Sequence, residues 1–468
     1  MNMSFNSTNY PLRVAVIGSG PAGFYTVGQL FKEYNNIVEV DMFDKLPTPF
    51  GLVRYGVAPD HQKIKSVTKL YERIADNPKF RFWGNVEIGK HIQIDDLRRI
   101  YHCVVFAYGT NRSRSLGILG EDFDGSYAAT DFVAWYNGHP DYQNHQFDLS
   151  VNTAVIVGVG NVAIDVARIL CLTEEELIQS DVTDNALHAL LESNIREVVL
   201  LGRRGPAQAA FTNPELKELI NLQGADLKID LDEAKLDRLS EEYVVLQDDK
   251  LLRSKVDMIK DISYVTSFNN NKSITIRFLV SPLEIFGGEN NKVVGMRLVK
   301  NELYKTNTGY LKSKATDKCE DISAGIVLTS VGYMGSAING IPFDEKSGTI
   351  PNINGRVFNQ DTQEILTGMY TCGWIKRGPT GVIGTNKEDA IETVHCMIED
   401  VQSGKYIDVD PIDKDCVDEI ITDAQPDTFT FDDWKRIDKI EIERGKVVNR
   451  PRIKFTSTLS MLKALNRV

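Results

Sequence analysis

The chain has 468 residues and a formal net charge of −12, with 42% hydrophobic and 25% charged residues. These totals fit a soluble globular protein of two or three domains and argue against non-specific nucleic-acid binding; an acidic partner would need a local basic patch. No apolar run approaches the ~18 residues of a membrane-spanning helix.

The opening stretch, MNMSFNSTNYPLR, reads as a short polar arm without a secretion or organelle signal. The first element begins in LRVAVIGSGPAGFYTVGQLFKEY, residues 12–34. The apolar run Val14 to Ile17 predicts a buried parallel strand. Gly18, Gly20 and Gly23 follow at G-x-G-x-x-G spacing, and a helical pattern comes next. NIVEVDMFDK then predicts a second strand ending near Asp44. Strand, glycine turn, helix, strand and acid together make a dinucleotide-binding unit, where a glycine pattern alone would be a weak signal. Gly18 permits the turn, Gly20 lets the backbone approach a pyrophosphate, and Gly23 lets helix and strand pack closely. The helix start offers N–H groups to phosphate, and the Asp44 carboxylate can accept from ribose hydroxyls.

The apolar strand in HCVVFAYGT, residues 102–110, ends in small residues and glycine, as does the one in AGIVLTSVGY, residues 324–333. Each is either an ordinary buried strand or a point where the chain crosses between two dinucleotide-binding domains. Between them the first unit recurs. TAVIVGVGNVAIDVARIL, residues 153–170, carries Gly158 and Gly160 with Ala163 in the third slot. A helix-rich excursion around TEEELIQSDVTDN follows, and IREVVLLGRRGP supplies the second strand. Its tip carries Arg203 and Arg204 where an NAD site carries an acid. A carboxylate repels a ribose 2′-phosphate, whereas a guanidinium fork binds it. The alternative is two solvated arginines capping a strand. The pair of units predicts FAD at the first and NADP(H) at the second.

Further on, LDEAKLDRLSEEY has helical spacing, SITIRFLVSPLEIFG has strand character, and FNNNKS reads as a turn or mobile loop tip. The last 60 or so residues read as a helical tail. The six cysteines, at 103, 171, 319, 372, 396 and 416, are scattered without a Cys-x-x-Cys pair. A dithiol motif, a structural zinc site and a cysteine-ligated cluster are therefore not expected, and no metal is expected from the seven histidines.

PFGLVRYGVAPDH (49–61), GNVAIDVARIL (160–170), GRRGPAQAAFTNPEL (202–216) and GWIKRGPTGVIGT (373–385) resemble the adrenodoxin reductase type of ferredoxin–NADP reductase. The resemblance runs from Leu12 to the tail and is least from about residue 222 to 285. It implies an α/β fold of two Rossmann-like domains. The FAD domain (residues 1–108 and 331–468) would be discontinuous, with the NADP domain (109–330) inserted. It further implies hydride transfer from NADPH to FAD, then single-electron transfer to an iron–sulfur protein of the ferredoxin or adrenodoxin kind, or to a flavodoxin.

By position, the resemblance implies that Ala22 lies on the FAD pyrophosphate. Asp44 would bind the FAD ribose, where the family more often has Glu. Leu52 and Ile88 would line the flavin or its linker. Trp374 and the backbone of Gly381, Val382 and Ile383 would meet FAD, with Gly381 also reaching NADP. Gly160, Asn161, Val162 and Ala163 would hold the NADP pyrophosphate, Arg203 and Arg204 its 2′-phosphate, and Glu215 the nicotinamide-side portion. His61 and Asp165 match the family's catalytic pair near the flavin ring. They are either a proton-handling pair, or a loop histidine and an acid favoured by a helix start.

For an acidic acceptor, two basic runs are candidate docking faces: Lys250, Arg253 and Lys255, or Arg444, Lys446, Arg450, Arg452 and Lys454. A monomer is expected, in the cytoplasm rather than the mitochondrial matrix. The rival readings are the NADPH-oxidising subunit of a glutamate-synthase-like assembly, whose cysteine-rich N-terminal region is missing here, and a low-turnover flavin and NADP sensor.

Overall fold

Two sets of apolar runs build two parallel sheets. The computed structural model describes residues 11–34, 37–410 and 414–468; the first ten residues of the expected polar arm lie outside this set. Leu12–Ile17 lies inside the first sheet, parallel to Val38–Asp44 on one side and to the middle strand, Cys103–Phe106, on the other. Phe80–Gly84 extends one edge. Glu364–Thr371 joins the other in parallel, and Arg356–Asn359 and Asn352–Ile353 close it antiparallel. The central strands are buried on both faces, as near-continuous apolar sequence requires.

The second sheet has six strands, all parallel. Their order is Ser126–Ala128, Ile326–Thr329, Thr153–Val157, Glu197–Gly202, Ser273–Phe278 and Asp226–Ile229. The first sheet thus draws strands from both sides of the segment that makes the second. The molecule is α/β with two dinucleotide-binding folds, one inserted in the other.

A third sheet, antiparallel, is built from Val280–Gly287, Val293–Lys305 and Leu311–Ser323. The run SITIRFLVSPLEIFG is therefore two strands in two sheets. Leu279 makes the corner with φ +55°, and its N–H donates to the Arg204 carbonyl at 3.1 Å. The helical stretch after residue 230 is likewise broken, into Leu231–Ala234 and Arg238–Gln247. FNNNKS is a loop, with Asn270 bonded through its N–H and side chain to Asp226. The C-terminal helices Phe431–Val447 and Thr458–Ala464 fold back on the first domain. Phe431, Trp434, Ile437, Met461 and Leu462 complete the core around Phe24, Phe50 and Tyr71. Truncating one such buried aromatic to alanine typically costs about 3–5 kcal/mol, so the tail is part of the core.

Candidate functional site

The two glycine turns repeat one arrangement. Gly18 has φ +106°, and a Cβ there would lie 2.5 Å from the Tyr108 Cα. Gly158 has φ +134°, and its Cβ would lie 2.2 Å from the Ser330 carbonyl oxygen. The protein's own backbone requires both glycines. At Gly20 and Gly160 an added Cβ would meet nothing within 4 Å. Their bare α-carbons face open cradles, which suits a ligand's close approach. The third slots are buried, at Gly23 and Ala163. Helices Pro21–Tyr34 and Asn161–Cys171 start at these turns and aim unpaired N–H groups at the cradles.

Two of the long sequence strings rest on the first turn. The Phe50 N–H donates to the Ser19 carbonyl at 3.0 Å. A Cβ on Gly51 would lie 3.0 Å from the Gly20 Cα, and one on Gly373 would lie 2.5 Å from the Ala22 Cβ. Leu52 then begins a short helix, Leu52–Tyr55. Trp374 packs against Tyr333 with ring centroids 5.7 Å apart, and its Nε1 donates to the Thr380 carbonyl. Gly381, Val382 and Ile383 lead from there into the helix Thr385–Gln402. Asp44 ends the second strand as expected, and its carboxylate accepts from the Ser19 N–H at 2.9 Å, the Ser19 hydroxyl at 2.5 Å and the Leu46 N–H at 2.9 Å. Burial nevertheless pushes its pKa up, outweighing those bonds. Ile88 sits deeper, buried with Ile17, Phe43 and Trp83 under the end of the first strand.

At the second turn, Asn161 accepts the Thr212 N–H at 2.9 Å through its side chain, and Val162 is half-buried beside Ala163. Arg203 and Arg204 follow the strand Glu197–Gly202 directly. Arg203 is exposed and Arg204 half-buried.

The structure brings His61, Asp165 and Glu215 together, with two partners not expected from sequence, Glu218 and Arg168. His61 Nε2 lies 2.9 Å from Glu218 Oε2 and 2.8 Å from Arg168 Nη2. Its Nδ1 lies 3.9 Å from Asp165 Oδ1. Arg168 Nη2 also donates to Asp165 at 3.0 Å, and its guanidinium pairs with Asp60. His61 Nε2 thus faces a donor and an acceptor. A ring protonated only on Nδ1 accepts from Arg168; a ring with a proton on Nε2 donates to Glu218. Burial disfavours the charged ring, but Glu218 and Asp165 outweigh it and raise the His61 pKa. Burial raises the Asp165 pKa against Arg168 and His61. Glu215 is pushed up to about 7 by burial and by the neighbouring charges of Asp165 and Glu218. Carboxylates of Asp165, Glu215 and Glu218 converge on His61 closely enough to grip a cation, and the cation the fold supplies is Arg168.

The chain matches proteins of its own length. NADPH-ferredoxin reductase FprA of Mycobacterium leprae is 42% identical over 459 residues, covering 96% of this chain and 97% of the relative. The mitochondrial NADPH:adrenodoxin oxidoreductase of Arabidopsis thaliana is 37% identical over 472 residues, covering 98% and 96%. The solved structure of Mycobacterium tuberculosis FprA in complex with NADPH superposes with a TM-score of 0.91 at 41% identity, covering 97% of this chain and 100% of that one. No family model matches the chain.

The chain belongs to the NADPH:ferredoxin and adrenodoxin reductase family.

In this reductase most of each basic run is paired or turned inward, while Lys250, Arg444 and Lys446 stay exposed. Arg450 and Lys454 are buried. Arg450 pairs with Asp184, Arg452 with Asp438 and Glu441, and Lys454 with Asp181. Asp181 and Asp184 lie far away in the chain and Asp438 and Glu441 on the helix just before, so the positive charge of Arg450, Arg452 and Lys454 reflects internal pairing. In the other run Lys255 turns inward to the carbonyls of Ala209 and Phe211, and Arg253 pairs with Asp248. No described helix is long and apolar enough to cross a membrane.

Proposed function

We propose that this reductase binds FAD at the first glycine turn and NADPH at the second, and passes reducing equivalents to a ferredoxin. The observation that carries the reading is the doubled turn, in which Gly20 and Gly160 leave open the approach a pyrophosphate needs while Gly18 and Gly158 answer the chain's own backbone. FAD supplies the chemistry, taking two electrons with a hydride and releasing them singly. The residues position and tune. The helix starts at Ala22 and at Asn161–Ala163, with Gly160, hold the two pyrophosphates. Asp44 faces the ribose at the first strand tip and Arg203 and Arg204 the 2′-phosphate at the second. Leu52, Ile88, Trp374 and the backbone of Gly381, Val382 and Ile383 enclose the flavin end, and Gly381 also reaches the nicotinamide nucleotide.

Glu215, His61 and Asp165 stand at the nicotinamide side. There His61 holds or moves a proton between its two ring nitrogens and Glu218, and Arg168 keeps the group of acids charge-balanced. The near full-length match to proteins named as NADPH-ferredoxin and NADPH:adrenodoxin reductases favours this reading over an assembly subunit. The proposal includes a domain junction near residues 108 and 330, a monomer, a cytoplasmic location and a ferredoxin, adrenodoxin-like protein or flavodoxin as acceptor.

The test is stopped-flow absorbance of the purified protein mixed with NADPH or NADH. A yellow protein whose flavin bleaches much faster with NADPH is expected. A colourless protein, or one that prefers NADH, would sink the proposal.

A further inference from the structure

The second strand tip is held by an element that neither glycine unit contains. Val293–Lys305 and Leu311–Ser323 form a long hairpin. The hairpin and the corner at Leu279 together hold the backbone of both arginines. Asn301 donates through its side chain to the Arg203 carbonyl at 2.9 Å, and Leu279, whose carbonyl accepts from the Asn301 N–H, donates to the Arg204 carbonyl at 3.1 Å. Its tip returns to the Arg204 side chain, where Nη1 donates to the Tyr310 hydroxyl at 3.0 Å. Two bonds join Thr306 to Tyr310 across the turn. The Thr306 N–H donates to the Tyr310 carbonyl at 2.8 Å, and the Tyr310 N–H donates to the Thr306 hydroxyl at 3.0 Å.

Arg204 and Tyr310 stand on the wall of a cavity of about 620 Å³, with Phe211, Tyr243, Gln247 and Lys255 among its other residues. That volume is in the range of small-molecule sites, roughly 300–1,000 Å³. Lys255 is the other cation of the wall, and its ammonium is turned to the carbonyls of Ala209 and Phe211, at 2.5 and 3.4 Å. The wall's one acid, Asp249, accepts from the Leu251 N–H at 2.8 Å, and Arg204 is the cation left to meet an anion entering here. The Tyr310 oxygen accepts from Arg204, and a phenol has one proton of its own to give. Among the described residues that proton has no hydrogen-bond acceptor, so it is available to the same anion.

We infer that Tyr310 is a specificity-determining residue: it holds the Arg204 guanidinium and donates its own hydroxyl proton to the 2′-phosphate of NADPH. This rests on the reading of the second glycine turn as the NADPH site. A phosphate dianion between a guanidinium and a phenol gains a charge-assisted hydrogen bond that a 2′-hydroxyl nucleotide does not exploit to the same degree. The hairpin thus adds a donor that selects for the phosphate.

The test is calorimetric titration of the flavin-loaded enzyme with 2′,5′-ADP and with 5′-ADP, for the parent chain and for Tyr310→Phe. The phenylalanine keeps the ring and removes only the hydroxyl. The dissociation constant for 2′,5′-ADP is expected to rise about tenfold, and that for 5′-ADP to stay within about twofold. In steady state, the KM for NADPH should rise with kcat unchanged. An unchanged 2′,5′-ADP affinity in Tyr310→Phe would overturn the inference, as would equal losses for both nucleotides, which would mean that the hydroxyl only supports the fold. A parent enzyme that binds the two nucleotides equally would overturn the placement of NADPH as well, and so marks that failure separately. Tyr304→Phe removes an exposed hydroxyl from the same hairpin outside the cavity and is expected to leave both affinities as they are; a loss there matching that of Tyr310→Phe would also count against a specific role.

Discussion

Glu215 carries an oxygen, Oε2, that is buried with no hydrogen-bond partner among the described residues. Its pKa, near 7, is raised from the ordinary glutamate value of 4.5 by burial and then by Asp165 and Glu218. Between those values the unfolded chain gives up its proton while the folded chain keeps it. Stability contributed by this residue is therefore intact below about pH 4.5 and falls as the pH rises toward 7. Glu215→Gln removes the loss. Its melting temperature is expected to exceed the parent's by more at pH 8 than at pH 5, and equal shifts at both would refute the buried-acid reading. The neighbouring histidine makes a kinetic prediction. His61 is held toward its charged form by Glu218 and Asp165, so His61→Gln should flatten the pH dependence of flavin reduction by NADPH near neutrality. An unchanged profile in stopped flow would remove His61 from proton handling. His61, Asp165 and Glu215 could be picked out in the sequence because they sit in long family strings. Arg168 and Glu218 could have been found too, each three residues after an expected site residue and so on the same helix face. Nothing in the sequence alone said that these two faces meet around one imidazole.

At the scale of the element, the glycine turns separate folding from binding. Gly158→Ala places a methyl 2.2 Å from the Ser330 carbonyl at a φ of +134°. Clash and strain at such a position cost several kcal/mol together, and low expression or a lowered melting temperature is expected. Gly160→Ala puts its methyl into open space. That variant should melt within about 2 °C of the parent yet bind NADPH at least tenfold more weakly, because the methyl occupies the pyrophosphate's approach. Should Gly160→Ala bind NADPH normally, the cradle is not where the dinucleotide lies. The same turns explain why the fold was legible: strand, glycine, helix and strand are all local, and an apolar run such as Val14–Ile17 has few other uses. What local pattern could not show was partnership. SITIRFLVSPLEIFG reads as one strand because the corner at Leu279 is made by a leucine, a residue that carries no turn signal. Arg450, Arg452 and Lys454 read as a surface because their acids lie on other elements.

Across the whole molecule, three distant parts of the chain meet at one buried carboxylate. Asp181, from the excursion after the second glycine helix, pairs with Lys65, from the short helix just after His61, at 2.6 Å, and with Lys454, from the tail, at 3.1 Å. Its N–H donates to the Pro59 carbonyl at 3.0 Å, two residues before His61. The two glycine-turn domains and the tail are therefore joined by one anion between two cations, directly behind the site. Burial opposes the charge on Asp181, but Lys454 and Lys65 outweigh it and hold its pKa well below the usual carboxylate range. The sign follows: this stabilisation is full above the unfolded aspartate pKa of about 3.9 and is lost as pH falls below it. Burial pushes the Lys454 pKa well down, so stability from that residue rises with pH toward the unfolded lysine value of about 10.4. The two substitutions should then behave unequally. Asp181→Asn strands two buried ammonium groups and is expected to destabilise by about 3–5 kcal/mol, as removal of one partner from a buried pair does. Lys454→Met removes one of two like charges and leaves the Lys65–Asp181 pair intact, so it should cost under about 1.5 kcal/mol and flatten the rise in stability on the alkaline side. Urea unfolding at pH 7 and pH 9 measures both. If Lys454→Met proves as damaging as Asp181→Asn, the carboxylate is not the centre of the joint. The tail would then hold the domains together through its packing on Phe24 and Phe50.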